Sequence, residues 1–434
     1  MNAPDAPAPG IAAAMPPVTG LRGLKVLDFS WAGAGPMATE ILSLLGADVV
    51  KVESATRPDL LRIVSVAYGW GELNIENSAC FNDMNAGKLS LALDLKHPAA
   101  RAAARRLAAR ADVVADNMRP GKMEALGLGY ATIAALNPRV IYCSVSAAGR
   151  VAPVDGKEPP DIPGYAPVFW AEGGGASVTG WPEGTPAYMR APVDMNVGNV
   201  AALGIFAALY ARERTGRGSY IDCSAMESVA ASIGDELLTA SLGLPAGGLR
   251  GNDRPPHAPN DLLPVRGTDR WVAVSTFSES EWRALCAVLG ATDLAGDTGL
   301  RSRLGRWRRR AEIQQRLAAC SRDRDGAELA AALQAAGVAA TRCNTMAEVL
   351  EDSELIARGF WHTVAHPVIG PQRVGMMPGM MTPGVPPPER GGPLMGEHSD
   401  QVLRDWLGLS ADEIATLRRD GAVEDQPRPQ PASK

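Results

Sequence analysis

Residues 24–53, LKVLDFSWAGAGPMATEILSLLGADVVKVE, decide the fold class of this chain. The branched apolar residues 24–29 predict a buried strand, and the small residues 30–36 that follow predict a turn. Residues 37–45 predict a helix, and residues 47–53 predict a second strand. A strand, a helix and a strand in this order form a βαβ unit. The sequence therefore predicts an α/β domain with a parallel sheet.

The turn in this unit also predicts a place where an anion can bind. Its small residues put backbone N–H groups at a helix start, where they suit a phosphate or a carboxylate. Gly33 and Gly35 resemble a dinucleotide-binding fingerprint only loosely, because Pro36 follows them. The turn by itself therefore identifies no particular nucleotide.

The chain divides into segments with different patterns. Strands alternate with helices up to a loop dense in Pro, Gly and Asn, which marks a domain boundary. We predict four segments: a disordered tail at 1–19, a large α/β domain at 20–243, a small α+β domain at 244–347, and a C-terminal part at 348–434 that returns to the large domain.

Composition excludes several classes of protein. With 434 residues, 46% of them hydrophobic and 21% charged, the chain is typical of a globular protein of two or three domains. A net charge of −5 argues against nucleic-acid binding. The scattered cysteines and histidines form no metal-binding motif, so we expect no catalytic metal and a reducing compartment. No signal peptide and no apolar run of membrane-spanning length is evident, which predicts a cytoplasmic protein that binds no membrane.

Asp194 is the residue that we predict to carry the chemistry. It follows glycines at residues 173–175 and stands just before an apolar helical pattern at residues 197–210. Backbone N–H groups and the helix dipole at such a junction would keep the carboxylate ionised. An ionised, positioned carboxylate can act as a nucleophile. The competing interpretation is a plain helix N-cap, which is the usual role of Asp before a helix.

Several stretches of the chain, spread over most of its length and in one order, together resemble the class III CoA-transferases. This family includes formyl-CoA transferase, carnitine CoA-transferase and the α-methylacyl-CoA racemases. The matching stretches lie at residues 24–36, 45–53, 85–95, 111–121, 126–129, 136–142, 212–218 and 394–400. Any one of them is modest evidence, but their common order makes the resemblance strong.

The resemblance implies an interlocked dimer. Each chain would have a large Rossmann-like domain, built from its N- and C-terminal parts, and a small domain from its middle. The resemblance also implies that Asp194, which stands ahead of a helix ending in Arg-x-x-Thr-Gly-x-Gly, attacks the thioester of an acyl-CoA. A mixed anhydride forms, the CoA thiolate returns to make an aspartyl-CoA thioester, and an acceptor carboxylate takes up the CoA. Coenzyme A is then a co-substrate, and no tightly bound cofactor is expected.

This mechanism needs groups that stabilise the oxyanion of each tetrahedral intermediate. Backbone N–H groups at Gly174 and Gly175 can serve this purpose. Close packing of the loop against a partner chain would explain the two glycines equally well.

Coenzyme A needs cationic groups for its phosphates and a slot for its adenine. The matched motif that follows a predicted strand at residues 112–116 suggests one group of residues for the adenine and phosphate side. Other basic residues are further candidates for phosphate, although each can also be an ordinary surface charge. The first group is Asn117, Met118 and Arg119, and the second is Lys51, Arg57 and Lys88.

Two departures from the family pattern bear on the substrate. Formyl-CoA transferase carries a Gln where this chain has Gly33, and its tetraglycine loop has no counterpart at residues 247–254, which argues against oxalate as acceptor. Where the racemases carry a His, the best-matching residue is Tyr165. Exchange of an α-proton would therefore lack the second acid or base.

Three functions remain open on the sequence alone. The first is CoA transfer from an acyl-CoA to a carboxylic acid through Asp194. The second is an acyl-CoA epimerase or isomerase that uses Asp194 as a general base. The third is a CoA-binding subunit of a hetero-oligomeric transferase. The expected partner chain is a second copy of this one or a paralogous subunit.

Overall fold

The computed structural model describes residues 20–67, 74–150, 162, 164–189, 191–381 and 384–424. The predicted tail at residues 1–19 lies outside this range, as does Arg190, which precedes the Asp194 segment. The described chain forms two compact units. The larger contains the residues up to Ala176, then Tyr188–Ala246 and the residues from Ile356 onward, and the smaller contains Ser177–Ala187 and Gly247–Leu355.

A parallel six-stranded sheet forms the centre of the larger unit. Its strands are β1 (Lys25–Asp28), β2 (Asp48–Glu53), β3 (Leu89–Ala92), β4 (Val113–Asp116), β5 (Ile141–Ser146) and β6 (Ser219–Ser224). They lie in the order β3-β2-β1-β4-β5-β6, and every neighbouring pair is parallel. The α/β class with a parallel sheet is thus confirmed. The strand order reverses between β1 and β4, and ligands of such sheets bind at the carboxyl ends of the strands beside this reversal.

Helices connect these strands. They are α1 (Ala34–Leu44), α2 (Leu60–Ala67), α3 (Ala79–Met84), α4 (Pro98–Ala108), α5 (Lys122–Ala125), α6 (Tyr130–Leu136), α7 (Ala166–Glu172), α8 (Ala191–Thr215), α9 (Ala225–Ser232) and α10 (Gly234–Ser241). The first helix begins three residues before the predicted start at residue 37, inside the small-residue turn.

Both faces of the sheet are covered, as the continuous apolar runs of its strands require. On one face, Leu27 and Val50 pack with residues of α4 such as Leu107. On the other face, Val26 and Val113 pack with residues of α1 and α8. The loops that follow the strands are therefore held by two separate apolar cores.

The smaller unit packs helices on an antiparallel sheet. Its strands β7 (Asn260–Pro264), β8 (Trp271–Ser275) and β9 (Ala339–Arg342) lie in that order. Its helices are α11 (Glu279–Leu289), α12 (Thr292–Gly296), α13 (Arg303–Arg308), α14 (Arg310–Ser321), α15 (Gly326–Ala335) and α16 (Met346–Leu350). Their apolar residues, such as Trp282 and Leu317, form a core of their own with Val272.

Three short segments differ from the predicted domain division. Residues 244–246 group with the larger unit, and residues 348–355 group with the smaller one. The third segment is 177–187. We expected residues 177–187 in the large domain, but they group with the smaller unit. The physical reason is backbone pairing: the N–H of Gly251 donates to the carbonyl of Gly180 at 2.8 Å, and the N–H of Gly248 donates to that of Ser177 at 3.0 Å.

The C-terminal part of the chain pairs with the central sheet of the larger unit. It contains the hairpin of β10 (Trp361–His366) and β11 (Gly370–Gly375), α18 (Ser399–Leu407) and α19 (Ala411–Arg419), and it follows α17 (Ser353–Ala357), within which the division between the two units falls. Near its described end, the N–H of Glu424 donates to the carbonyl of Ala92 in β3 at 3.0 Å. The Glu424 carboxylate accepts from the N–H of Ala55 at 2.8 Å. The end of the chain thus extends the β3 side of the sheet.

Helix α8 is longer than the sequence predicted. By length and composition alone, Pro192–Thr215 could cross a membrane, with a mean hydropathy of 1.3. This corrects our statement that no apolar run is long enough. However, α8 packs along α1, and Ala201, Ala202 and Ile205 are buried in the larger unit. One face of α8 is thus buried in the larger unit, while Leu203 and Tyr210 on the same helix are exposed.

Candidate active site

Asp194 lies within the first turn of α8 and not ahead of the helix. The predicted loop-to-helix junction was therefore misplaced by several residues. Residues 191–196 lack the apolar periodicity of the rest of the helix, so the pattern located its start too late. At this position the side chain does not cap its own helix. It lies against a neighbouring element instead.

That neighbouring element is the turn between β1 and α1. A Cβ atom built on Gly33 would lie only 2.8 Å from Oδ2 of Asp194. Real Cβ atoms do not approach other atoms so closely, so glycine is required where the carboxylate rests. The turn follows β1 at the carboxyl edge of the sheet, which is the edge where ligands bind in such folds.

The position of Asp194 depends on close packing between α8 and α1. A Cβ built on Gly198, one helical turn after Asp194, would lie 2.7 Å from the Met37 side chain and 2.8 Å from the carbonyl oxygen of Ala34. The missing side chain lets the two helix backbones approach each other. This approach brings the first turn of α8 against the first turn of α1.

Burial raises the pKa of Asp194 to about 6. We had expected the helix start to keep this carboxylate ionised, but removal of water from the charged form has the larger effect. Within the described part of the chain, no hydrogen bond to the carboxylate opposes the effect of burial. A carboxylate with this pKa is still mainly ionised at neutral pH, and it is more basic than an exposed Asp.

Lys51 and Lys88 do not lie where they could bind a phosphate. Both side chains are fully buried. The Lys51 ammonium pairs with Asp59 at 2.9 Å and donates to the carbonyl of Ser30 at 2.8 Å. The Lys88 ammonium pairs with Asp28 at 3.2 Å. Their assignment as phosphate ligands was therefore wrong, because buried charges in proteins are paired and these two pairs stabilise the interior.

Asn117 also has partners within the protein. Its amide nitrogen donates to the carbonyl of Trp31 at 2.6 Å, and its amide oxygen accepts from the N–H of Trp31 at 2.7 Å. The side chain therefore joins the end of β4 to the turn after β1. Both ends of the Asn117 amide, which we expected on the adenine and phosphate side of coenzyme A, are used in this way, so Asn117 holds the turn.

The remaining candidates for binding coenzyme A are at least partly accessible. Arg57 is exposed, and its guanidinium lies over the Trp31 ring, 5.1 Å from the ring centroid. Arg119 is exposed, and Met118 is half-buried beside the core. Arg57 is thus the exposed candidate cation that contacts the turn beside Asp194.

The predicted oxyanion donors are only partly compatible with the structure. The N–H of Gly174 already donates to the carbonyl of Ala171 at 3.2 Å. A Cβ on Gly175 would lie 2.5 Å from the Trp170 ring, so this glycine allows close packing. The N–H of Gly174 is thus engaged within its own loop, and close packing against Trp170 explains a glycine at residue 175. Tyr165 is 60% exposed at the start of α7, and its neighbour Pro163 lies outside the described residues.

Sequence reasoning missed one residue beside the turn. Asp59 accepts a hydrogen bond from the N–H of Ala32 at 3.0 Å, and it pairs with Lys51. An Asp just before a helix is normally read as an N-cap, and Asp59 does accept from the N–H of Leu61 at 2.9 Å. Only the fold reveals that the same carboxylate also contacts the turn.

Residues 21–399 match the sequence profile of CoA-transferase family III. The chain belongs to this family. The match covers the central sheet, Asp194 and the whole smaller unit, so the family assignment includes every element of the candidate site.

Curated relatives are CoA-transferases with several substrates. A probable CoA-transferase of Mycobacterium tuberculosis is 33% identical over 93% of this chain, and the chain spans about half of that protein, 51%. The formyl-CoA:oxalate CoA-transferase of Rhodopseudomonas palustris is 30% identical over 95% of this chain and 99% of its own length. The succinyl-CoA–D-citramalate CoA-transferase of Chloroflexus aurantiacus is 29% identical over 92% of this chain and 96% of its own length. The family III chain is therefore an enzyme of the CoA-transferase type.

Solved structures of relatives have the same fold. A CaiB/BaiF family protein from Brucella suis matches with a TM-score of 0.79 and 28% identity, over 89% of this chain and 99% of that one. A second structure, from Mycobacterium tuberculosis, matches with a TM-score of 0.72 and 27% identity, over 88% of this chain and 99% of that one. The arrangement of strands and helices described above is thus that of the CaiB/BaiF fold.

Proposed function

We propose that this enzyme moves CoA from an acyl-CoA donor to a carboxylic acid, with Asp194 as the nucleophile. One observation carries the proposal: the Asp194 carboxylate rests against the backbone of Gly33, at the carboxyl edge of the sheet, with its pKa raised to about 6 by burial. A desolvated carboxylate is a stronger nucleophile than a hydrated one.

The proposed reaction consists of four balanced exchanges. Asp194 attacks the thioester carbonyl, the carbon–sulfur bond breaks, and the CoA thiolate leaves a mixed anhydride. The thiolate attacks the aspartyl carbonyl, which releases the donor acid and forms an aspartyl-CoA thioester. The acceptor carboxylate attacks this thioester and expels the thiolate, giving a second anhydride. Finally, the thiolate attacks the acceptor carbonyl and frees Asp194. Each step exchanges a carboxylate and a thiolate, so no external acid, metal or redox partner is required.

The start of α1 is the best candidate for stabilising the oxyanions. Its first N–H groups, at Gly33, Ala34 and Gly35, have no carbonyl partner within their own helix. They belong to the turn that Asp194 touches at Gly33, and the helix dipole adds partial positive charge at this helix start. These groups replace Gly174 and Gly175 in our proposal.

Coenzyme A is proposed to bind along the turn and the loop after β4. Arg57 and Arg119 are exposed and would bind its phosphates, while Met118 would contact the adenine. The strand order β3-β2-β1-β4-β5-β6 supports a Rossmann-like interpretation of the larger unit, because that order produces a crevice beside β1 and β4. We expect this chemistry to take place in the cytoplasm.

Succinyl-CoA is the proposed first donor to test. One relative named for succinyl-CoA is the D-citramalate enzyme of Chloroflexus aurantiacus, and one named for succinate is the succinate–glutarate CoA-transferase of Agrobacterium fabrum, each 29% identical to this chain. Oxalate stays a poor candidate acceptor, because no side chain at Gly33 can take the place of the Gln in formyl-CoA transferase.

Two chains are proposed to form the working enzyme. Helices α8 and α10 and the segment after α10 expose large apolar residues, which in water are commonly covered by a partner. Those exposed by more than half are Leu203, Tyr210, Leu238, Leu242 and Leu244. An interlocked homodimer would cover them. A paralogous subunit is the alternative, since one relative is the β subunit of a succinyl-CoA–L-malate CoA-transferase, 29% identical to this chain.

An epimerase is the second candidate, because a pKa of about 6 also suits a general base. One experiment distinguishes the two. The enzyme is mixed with succinyl-CoA and then treated with hydroxylamine, and the peptide containing Asp194 is analysed by mass spectrometry. We expect a hydroxamate at Asp194, and the Asp194→Ala variant should neither form it nor exchange CoA. Uptake of solvent deuterium at the α-carbon of a branched acyl-CoA, without the hydroxamate, would support the epimerase instead.

A further inference from the structure

The turn between β1 and α1 is held at three consecutive residues by side chains from three other parts of the larger unit. The Lys51 ammonium, from β2, donates a hydrogen bond to the Ser30 carbonyl at 2.8 Å. The Asn117 amide bonds both the N–H and the carbonyl of Trp31. Asp59, just before α2, accepts from the N–H of Ala32 at 3.0 Å. The backbone of this turn therefore has little freedom to move.

Ala32 has an unfavourable backbone conformation. Its φ angle is +56°, in the left-handed region that residues with a Cβ rarely occupy. Such a conformation persists only where surrounding contacts enforce it, and it is found most often at functional sites. The hydrogen bond from the Ala32 N–H to Asp59 is the contact that acts directly on this residue.

The next residue, Gly33, is the one against which Asp194 rests. If the backbone at Ala32 relaxed toward an ordinary φ angle, Gly33 and the first N–H groups of α1 would rotate with it. Water would then reach the Asp194 carboxylate, and the N–H groups would lose their alignment. The carboxylate of Asp59 thus acts on Asp194 through one peptide unit of backbone.

We propose that Asp59 is a positioning residue of the CoA-transfer reaction, because it fixes the turn that shields Asp194 and aligns the N–H groups beside it. This inference rests on the proposed function. Asp59 also has two structural roles, since it caps α2 through the N–H of Leu61 and neutralises the buried Lys51. The test must separate positioning from both.

Two matched double variants separate these roles. Both remove the Lys51–Asp59 charge pair, and only one of them also removes the hydrogen-bond acceptor at residue 59. Lys51→Met with Asp59→Asn keeps a side-chain oxygen for the Ala32 N–H, and Lys51→Met with Asp59→Ala does not. Neither variant leaves an unpaired ammonium in the interior, so both are expected to fold. We expect kcat of the Ala member to be at least about tenfold below that of the Asn member, because small displacements of reacting groups cost this much. The KM for acyl-CoA should differ by less than about threefold.

The second readout does not depend on activity. A water-soluble carbodiimide modifies protonated carboxyl groups, and peptide mass spectrometry gives the extent of modification of Asp194 at each pH. The midpoint should lie near pH 6 in the unchanged protein. Both variants lack the Lys51–Ser30 hydrogen bond, so the midpoint of the Asn member is the reference for that of the Ala member. In the Ala member it should move at least one pH unit lower, because water reaches the carboxylate.

The outcomes separate the two hypotheses. If Asp59 only caps α2, the Ala member will have a lower Tm but an unchanged Asp194 midpoint and kcat, which would refute the positioning role. If the unchanged protein transfers no CoA while the midpoint still depends on the acceptor at residue 59, the proposed function fails and the control of Asp194 by Asp59 stands.

Discussion

At the scale of single residues, the site depends on a glycine as much as on the carboxylate beside it. Gly33 has no side chain, and its backbone forms one wall of the space that Asp194 occupies. A glycine in a small-residue turn is easily attributed to the turn alone. Here the constraint comes from a residue far away in the sequence, which enters the turn from another helix.

Gly33→Ala is expected to abolish most of the activity while the protein stays folded. The added methyl group would lie 2.8 Å from the Asp194 carboxylate and must displace it. We expect kcat to fall at least about a hundredfold, since a displacement near 1 Å has effects of this size. Steady-state kinetics with succinyl-CoA would measure the loss. Gly296→Ala is the matched control, because a Cβ there meets nothing within 4 Å; equal kcat values for the two variants would contradict the assignment.

The raised pKa of Asp194 predicts a stability that depends on pH. The folded protein holds the proton up to about pH 6, and the unfolded chain only up to about its ordinary value of 3.8. The free energy of unfolding therefore falls as pH rises from about 4 to about 6, and it stays lower above pH 6. Asp194→Asn removes this loss, so it should stabilise the protein by roughly 1–3 kcal/mol at pH 8 and by about nothing near pH 4.

Thermal unfolding of the two proteins at both pH values checks this prediction. A Tm difference of the same size at pH 4 and pH 8 would show that the Asp194 charge is not desolvated. In the unchanged enzyme, kcat/KM should fall below about pH 6, because the protonated carboxyl is no nucleophile.

At the scale of elements, the contact between α1 and α8 determines where the proposed nucleophile lies. Gly198 permits this contact, because a Cβ there would meet Met37 and the backbone of Ala34. In a helix interior Gly is less favourable than Ala by about 1 kcal/mol, so the local helix alone does not explain Gly198. Packing between the two helices is the physical reason.

Gly198→Ala should therefore destabilise the protein, by about 1–3 kcal/mol for overpacking, and also lower kcat. Gly204→Ala in the same helix is the control, since its Cβ would meet only the side chain of Ile221, with Cγ2 at 3.2 Å and Cδ1 at 3.8 Å. Urea unfolding gives the free energies of both variants. If Gly198→Ala is as stable and as active as Gly204→Ala, the two helices do not depend on close approach.

At the scale of the whole molecule, the exposed apolar face of α8 and α10 predicts an association between chains. Leu203 and Leu238 are 68% and 62% exposed, which is costly in water unless a partner covers them. Leu203→Glu with Leu238→Glu should shift the mass measured by size-exclusion chromatography with light scattering from two chains to one. Leu304→Glu, at a site 50% exposed in the smaller unit, should leave it unchanged. A single-chain mass for the unchanged protein would remove the basis for a dimer.

The sequence by itself determined the parallel α/β sheet, the extent of most strands and the family, and it led to the proposal of Asp194. These rest on local patterns, because apolar runs separated by turn residues specify helices and strands without reference to distant parts of the chain. Tertiary structure alone decided which charges are buried and which backbone groups the proposed nucleophile meets. Lys51 and Lys88 looked like surface cations until the sheet enclosed them with Asp59 and Asp28. Asn117, Asp59 and Gly33 acquire their contacts from residues far along the chain, and burial, which raises the pKa of Asp194, exists only once α8 packs on α1.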